Sequence, residues 1–138
     1  MITQALTGSF KQELLQGVHD FDADTFKLAL YTTNSNISSS TTEYTTTNEV
    51  VGTGYTAGGA TLTNLGVTLS GTTAYASWDE YTWANSTLTT AGALIYNASK
   101  GNRSVAVLNF GGSYSTSDAP FTVTFPAYTS TTAPIIIY

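Results

Sequence analysis

From Gly59 onward, short runs that suit a pleated sheet alternate with short runs that suit a turn. The strand-like runs are Ala60–Thr63, Gly66–Leu69, Thr73–Trp78, Ala93–Asn97, Ser104–Phe110, Phe121–Phe125 and Pro134–Tyr138. Between them stand Asn64, Ser70-Gly71, Lys100-Gly101-Asn102, and Gly111-Gly112 with the loop up to Pro120. Many short strands at this spacing predict a sandwich or barrel. No helical crossover separates them, so the strands are expected to pair antiparallel.

The first third of the chain reads differently. Ser9 is placed to cap a helix, with Gln12 at the capping-box spacing. Phe10, Leu14 and Val18 recur at four-residue steps beside Leu15, and Gly17 is a stop signal. A helix over about 9–16 follows. The period then changes to two in Thr25–Tyr31, where Phe26, Leu28 and Leu30 point one way and Lys27, Ala29 and Tyr31 the other. Thr32–Thr47 is polar and too long for a tight turn, which predicts a surface excursion, and Thr46–Val51 can form a helical turn. The expected architecture is mainly β: a single antiparallel β-sandwich or jelly-roll-like domain over 1–138 with one short N-terminal helix.

Composition supports a real core. Hydrophobic residues make up 41% of the 138, including nine Tyr, six Phe and two Trp, and the net charge is only -5, which argues against disorder. Only 9% are charged, against about 25% in an average soluble protein. Thr, Ser, Asn and Gly take the place of the missing charge. A surface so poor in charge is a poor colloid by itself, and burying part of it in an assembly is one remedy. Lys11, Lys27, Lys100 and Arg103 are the only basic residues, too few to neutralise a run of phosphates or to hold an anionic membrane. No apolar run approaches the roughly 20 residues that span a bilayer, and the start lacks the pattern of a secretory signal.

The inventory for catalysis is thin. Cysteine is absent, which removes disulfides, thiolate metal sites and cysteine nucleophiles together. His19 is the only histidine; its ordinary role is that of a solvated residue near the helix C-terminus. Asp20, Asp22 and Asp24 alternate like the start of a calcium loop, but Thr25 stands where such a loop needs Gly and Tyr31 where it needs Glu. A polar loop with local backbone hydrogen bonds is the competing use. Gly52–Gly59 does not match a phosphate loop, because Ala57 holds the third glycine position and no strand–helix frame surrounds it; glycine there permits close approach of another chain. Asp79-Glu80 would point to opposite faces of a strand, a poor start for a glycosidase pair. No catalytic, cofactor-binding or metal-binding set emerges.

What remains is contact surface. Tyr75, Trp78, Tyr81 and Trp83 cluster in sequence and are suited to an interface or to stacking on sugar, with core packing as the competing use. Ile135, Ile136 and Ile137, followed by Tyr138, predict a strand inside a sheet or covered by a neighbouring subunit. The candidate interface residues are therefore Tyr75, Trp78, Tyr81, Trp83, Ile135, Ile137 and Tyr138.

Three segments together carry a resemblance: Ser9–His19 leading into Asp24–Tyr31; Thr45–Gly59; and Trp83-Ala-Asn with Gly92–Asn97 and Gly101-Asn-Arg103. Over nearly the whole chain this pattern resembles a family of small virion structural proteins of tailed bacteriophages, most of all the capsid decoration, or cement, proteins. The resemblance implies a small β-rich domain made in the bacterial host cytoplasm and seated on the capsid surface of the virion. Its implied partners are the major capsid protein and its own copies, as a homotrimer, with no nucleic acid or membrane. A tail or head–tail adaptor component is the alternative within that class, and a carbohydrate-binding module the alternative outside it.

Overall fold

The computed structural model describes all 138 residues. Ten strands and one α-helix follow in the order β1 (Ala5–Leu6), α1 (Gly8–Leu15), β2 (Phe26–Tyr31), β3 (Ala60–Thr61), β4 (Asn64–Ser70), β5 (Thr73–Trp78), β6 (Tyr81–Ser86), β7 (Thr89–Asn97), β8 (Arg103–Ser115), β9 (Ala119–Val123) and β10 (Ile135–Ile137). They form a five-stranded sheet ordered β1-β8-β7-β2-β3, a three-stranded sheet β10-β5-β4 and a β6-β9 ribbon. Every pairing is antiparallel, as the absence of helical crossovers predicts. The fold is mainly β and sandwich-like.

The five-stranded sheet is buried on both faces. Phe26, Leu28 and Leu30 of β2 join Ala93, Ile95 and Val105 in one core, and Ala29 and Tyr31 join Leu94, Tyr96 and Val107 in a second. The period-two alternation of Thr25–Tyr31 therefore sorts its side chains into two separate cores. Phe10 of α1, Trp78 and Ile135 of the small sheet, and Trp83 and Val123 of the ribbon cover the first face. Ile2 and the polar excursion, through Ile37 and Tyr44, cover the second.

The helix begins before the expected cap. Thr7, not Ser9, is the N-cap, and its side chain accepts from the Phe10 N–H. Thr7 is held there by β8, because its own N–H bonds the Val105 carbonyl, and Ser9 turns instead to the Ser104 hydroxyl. Gly17 ends the helix at a φ of 71°, as its position suggests.

Other differences have local causes. Thr47-Asn48 is a turn with Asn48 at positive φ, and the helical turn that Thr46–Val51 could have formed is not taken. Gly111-Gly112 does not break β8, because the register shifts between Thr90–Tyr114 and Gly92–Asn109 and absorbs the extra residues as an irregularity. β1 is only two residues long, and the alternation of β6 breaks at its irregularity between Trp83 and Ser86, so neither carries a readable strand signal.

Candidate functional site

His19 is buried, contrary to the solvated helix-end role expected for it. Its side chain has no exposed area and lies against the Phe10 ring. Asn97 fixes the chemistry. Its Oδ1 accepts from the Ser99 N–H, so its Nδ2 donates, to Asp24 Oδ2 at 2.7 Å and to His19 Nδ1 at 3.0 Å. Nδ1 is thus an acceptor, and Nε2 carries the proton that it donates to Glu13 Oε1 at 2.9 Å. Arg103 donates to Glu13 Oε2 at 2.6 Å and Lys100 to Asp24 Oδ1 at 2.9 Å. Two acids, two cations, one histidine and one amide form a closed network that ties α1 and its following loop to β7 and β8. Each of these groups is already committed to an internal partner.

The network sets an acid limit on stability. Burial works against ionisation of Glu13, but hydrogen bonds from His19 and Arg103 outweigh it and hold the carboxyl below its ordinary range. Asp24 is likewise opposed by burial and pulled lower by Asn97, Lys100 and the Asp20 N–H. A carboxyl lowered in the folded state adds stability above its unfolded pKa and loses it as pH falls through the folded value. Urea midpoints should therefore hold steady at neutral pH and drop once pH passes below about 4. Asp24→Asn should flatten that drop while lowering stability at pH 7. An acid profile identical to the native one would contradict this assignment.

The three neighbouring aspartates do not converge. Asp20 Oδ1 accepts from the N–H groups of Asp22 and Ala23, Asp24 Oδ2 accepts from the Asp20 N–H, and Asp22 Oδ1 accepts from the Val67 N–H. Their alternation serves local backbone hydrogen bonding. Asp79 and Glu80 lie exposed in the turn between β5 and β6 rather than on a strand.

The exposed feature is apolar. On β4, Val67 and Leu69 alternate onto one face and are 50% and 70% exposed, with Leu65 39% exposed at the irregularity before them. Across the sheet, Val67 stands opposite Ala76 and Ala76 opposite Ile135; Leu69 stands opposite Ala74 and Ala74 opposite Ile137. The inner row runs into the core at Ala76 and Ile135, while the outer row reaches solvent, with Ile137 51% exposed. A groove of about 370 Å³ lies between this face and the end of α1, walled by Leu14 and Phe21. β4, β5 and β10 contain no charged side chain.

The candidate interface residues separate into two groups. Trp78 is 2% exposed and packs against Phe21, Phe26 and Phe125; Trp83 is 5% exposed and packs against Tyr55, Tyr81 and Phe121. Tyr75 leans on Tyr128 on the opposite face of the small sheet, and Tyr81 edges onto Trp83, both half-buried. The four aromatics therefore form no exposed ring and offer no sugar-stacking platform, because both indoles are consumed by the domain's own core. Ile135 is also core, while Ile137 and Tyr138 are exposed. Leu65, Val67 and Leu69 were not anticipated at the surface. Their alternation was legible, but an apolar row on a strand ordinarily marks the buried face.

Fold and surface together define an antiparallel β domain with a closed polar network and an open apolar sheet face. Comparison with protein-family models, curated proteins and solved structures finds no match to the chain.

Proposed function

We propose that this chain is a structural protein of a tailed-bacteriophage virion, a capsid decoration protein that seats on the outer shell and stabilises it by added contact. It works without catalysis or cofactor. The observation that carries the reading is the uncharged apolar face built by Val67, Leu69, Ala74 and Ile137, open to solvent in a domain whose histidine and basic pairs are spent internally. Apolar surface left in water is unfavourable by about 25 cal/mol per Å², so covering this face against the shell is a direct source of binding energy. Repetition over a symmetric shell turns a modest contact into high occupancy. The resemblance of Ser9–His19 with Asp24–Tyr31, of Thr45–Gly59, and of Trp83-Ala-Asn with Gly92–Asn97 and Gly101-Asn-Arg103 to small virion proteins supplies the biological setting.

Purified chain added to shells that lack it should bind saturably and raise their melting temperature. Leu69→Lys places a charge in the outer row without touching the core and should weaken binding on the order of 100-fold while leaving the chain's own melting temperature unchanged. Binding to tails or connectors instead of shells would assign the chain to the adaptor class, and undiminished shell binding by Leu69→Lys would remove this face from the contact.

A further inference from the structure

The small sheet has two edges, and the molecule treats them differently. At the β4 edge the Val67 N–H is taken by Asp22 Oδ1 at 3.0 Å, and the Gly66 carbonyl accepts from the Tyr128 hydroxyl at 2.9 Å. A carboxylate and a phenol thus occupy that edge, and charge beside an edge strand deters pairing with another chain. At the β10 edge nothing comparable exists. Ile135, Ile136 and Ile137 make no hydrogen bond outside their pairing with β5.

Register shows which groups are left open. β4 and β5 are joined by the two-residue turn Gly71-Thr72, so Ser70 and Thr73 form the hydrogen-bonded pair that closes the hairpin. Hydrogen-bonded and non-bonded pairs then alternate, which turns the N–H and C=O of Ala74 and Ala76 toward β10 and those of Val67 away from β5. The bond from Val67 to Asp22 agrees with this phase. Ile135 and Ile137 therefore face β5 with their backbone groups, and Ile136 turns its N–H and C=O outward.

We propose that β10 is a pairing edge for a second copy of this chain, antiparallel about a two-fold axis near Ile136. The two Ile136 residues exchange N–H···O bonds, and the Tyr138 N–H of each copy meets the Pro134 carbonyl of the other. The result is a continuous six-stranded sheet that carries both apolar faces on one side. Charge favours this occupant and this edge. Two chains of net charge -5 repel wherever their acids meet, and β4, β5 and β10 contain none. Area sets the strength. Edge-to-edge pairing covers Ile136, Ile137 and Tyr138 but not Val67 and Leu69, which lie two strands away on β4, and so falls well short of the about 800 Å² per partner of a standard interface. The pair is therefore reversible in solution and reinforced where many copies share a surface. Its use rests on the assembly reading above; its geometry does not.

Sedimentation of the full chain from a few micromolar to about 1 mM should show a mass rising from 14.5 kDa toward twice that value. Amide hydrogen exchange at Ile136 should slow at least about tenfold over the same range. Ile136→Pro removes the outward N–H while sparing the bonds to β5, and should hold the chain at the one-copy mass with its near-ultraviolet circular dichroism retained. If that variant does not fold, the concentration dependence of Ile136 exchange in the native chain decides alone. A single-copy mass throughout, a three-copy mass, or concentration-independent exchange at Ile136 overturns the proposal. Pairing without shell binding removes the virion reading and leaves the pairing intact; shell binding by a chain that never pairs does the reverse.

Discussion

Replacing Glu49 with leucine should cost about 3–5 kcal/mol, because it strands three donors at once, one buried and two half-buried. The Glu49 side chain is buried and forms no ion pair. Its Oε1 accepts from the Tyr44 hydroxyl at 2.5 Å, and its Oε2 accepts from the Tyr55 hydroxyl at 2.6 Å and the Gly58 N–H at 2.8 Å. The Tyr55 oxygen also accepts from the Leu30 N–H, so this carboxylate ties the long excursion to the middle of β2. Burial, and then the bond to Glu49, raise both phenols above their ordinary range, and Tyr96 beside them is pushed up to about 12 by burial and then by the same charge. All three stay protonated through the physiological range, which keeps Tyr44 and Tyr55 available as donors. Glu49→Gln keeps an acceptor and the side-chain volume and should cost only about 1–2 kcal/mol. Urea titration of both variants checks this; equal costs, or a Glu49→Leu cost below about 1 kcal/mol, would show that the excursion is held by other contacts.

Gly59→Ala should destabilise by at least about 3 kcal/mol. Gly59 has a φ of 79°, and a Cβ built on it would stand 1.9 Å from the Leu28 carbonyl oxygen and 2.8 Å from the Ala29 Cα. Both atoms are backbone of β2, a strand paired on both sides, so neither can move aside cheaply. Gly101 is the control. Its φ is 68° but nothing lies within 4 Å, so alanine there meets only the backbone penalty of about 1–2 kcal/mol. The difference between the two variants, read from thermal or urea midpoints, isolates the close approach; equal values would mean that the excursion can lift away from β2.

These two positions show what the sequence carried and what it withheld. The glycines of Gly52–Gly59 were expected to allow close approach of another chain. The chain they approach is this one, with Gly54 against the Asn85 carbonyl and Gly59 against that of Leu28. The alternation of Phe26–Tyr31 was legible because period two survives wherever a strand has two distinct environments. The carboxylate clamp was not, because Tyr44, Glu49 and Tyr55 have no periodic relation and meet only through the path of an irregular loop. His19 was misplaced for the same reason: its partners Glu13 and Asn97 lie 6 and 78 residues away. The apolar triplet at Ile135–Ile137 signalled a surface needing cover, but sequence cannot say which strand of a sheet stands at its edge. Pattern also could not separate Trp78 and Trp83, which fill the core, from Leu69 and Ile137, which face solvent, since all four are apolar residues on strands.

The proposed role requires this domain to cover its open sheet face against a viral shell. An electron-microscopy map of the parent particle tests it most directly. The account predicts density for the ten-stranded domain on the outer surface of the shell, with Val67, Leu69 and Ile137 turned toward the capsid protein. A shell bare of this chain, or a bound domain whose β4-β5-β10 face looks out into solvent, would contradict it.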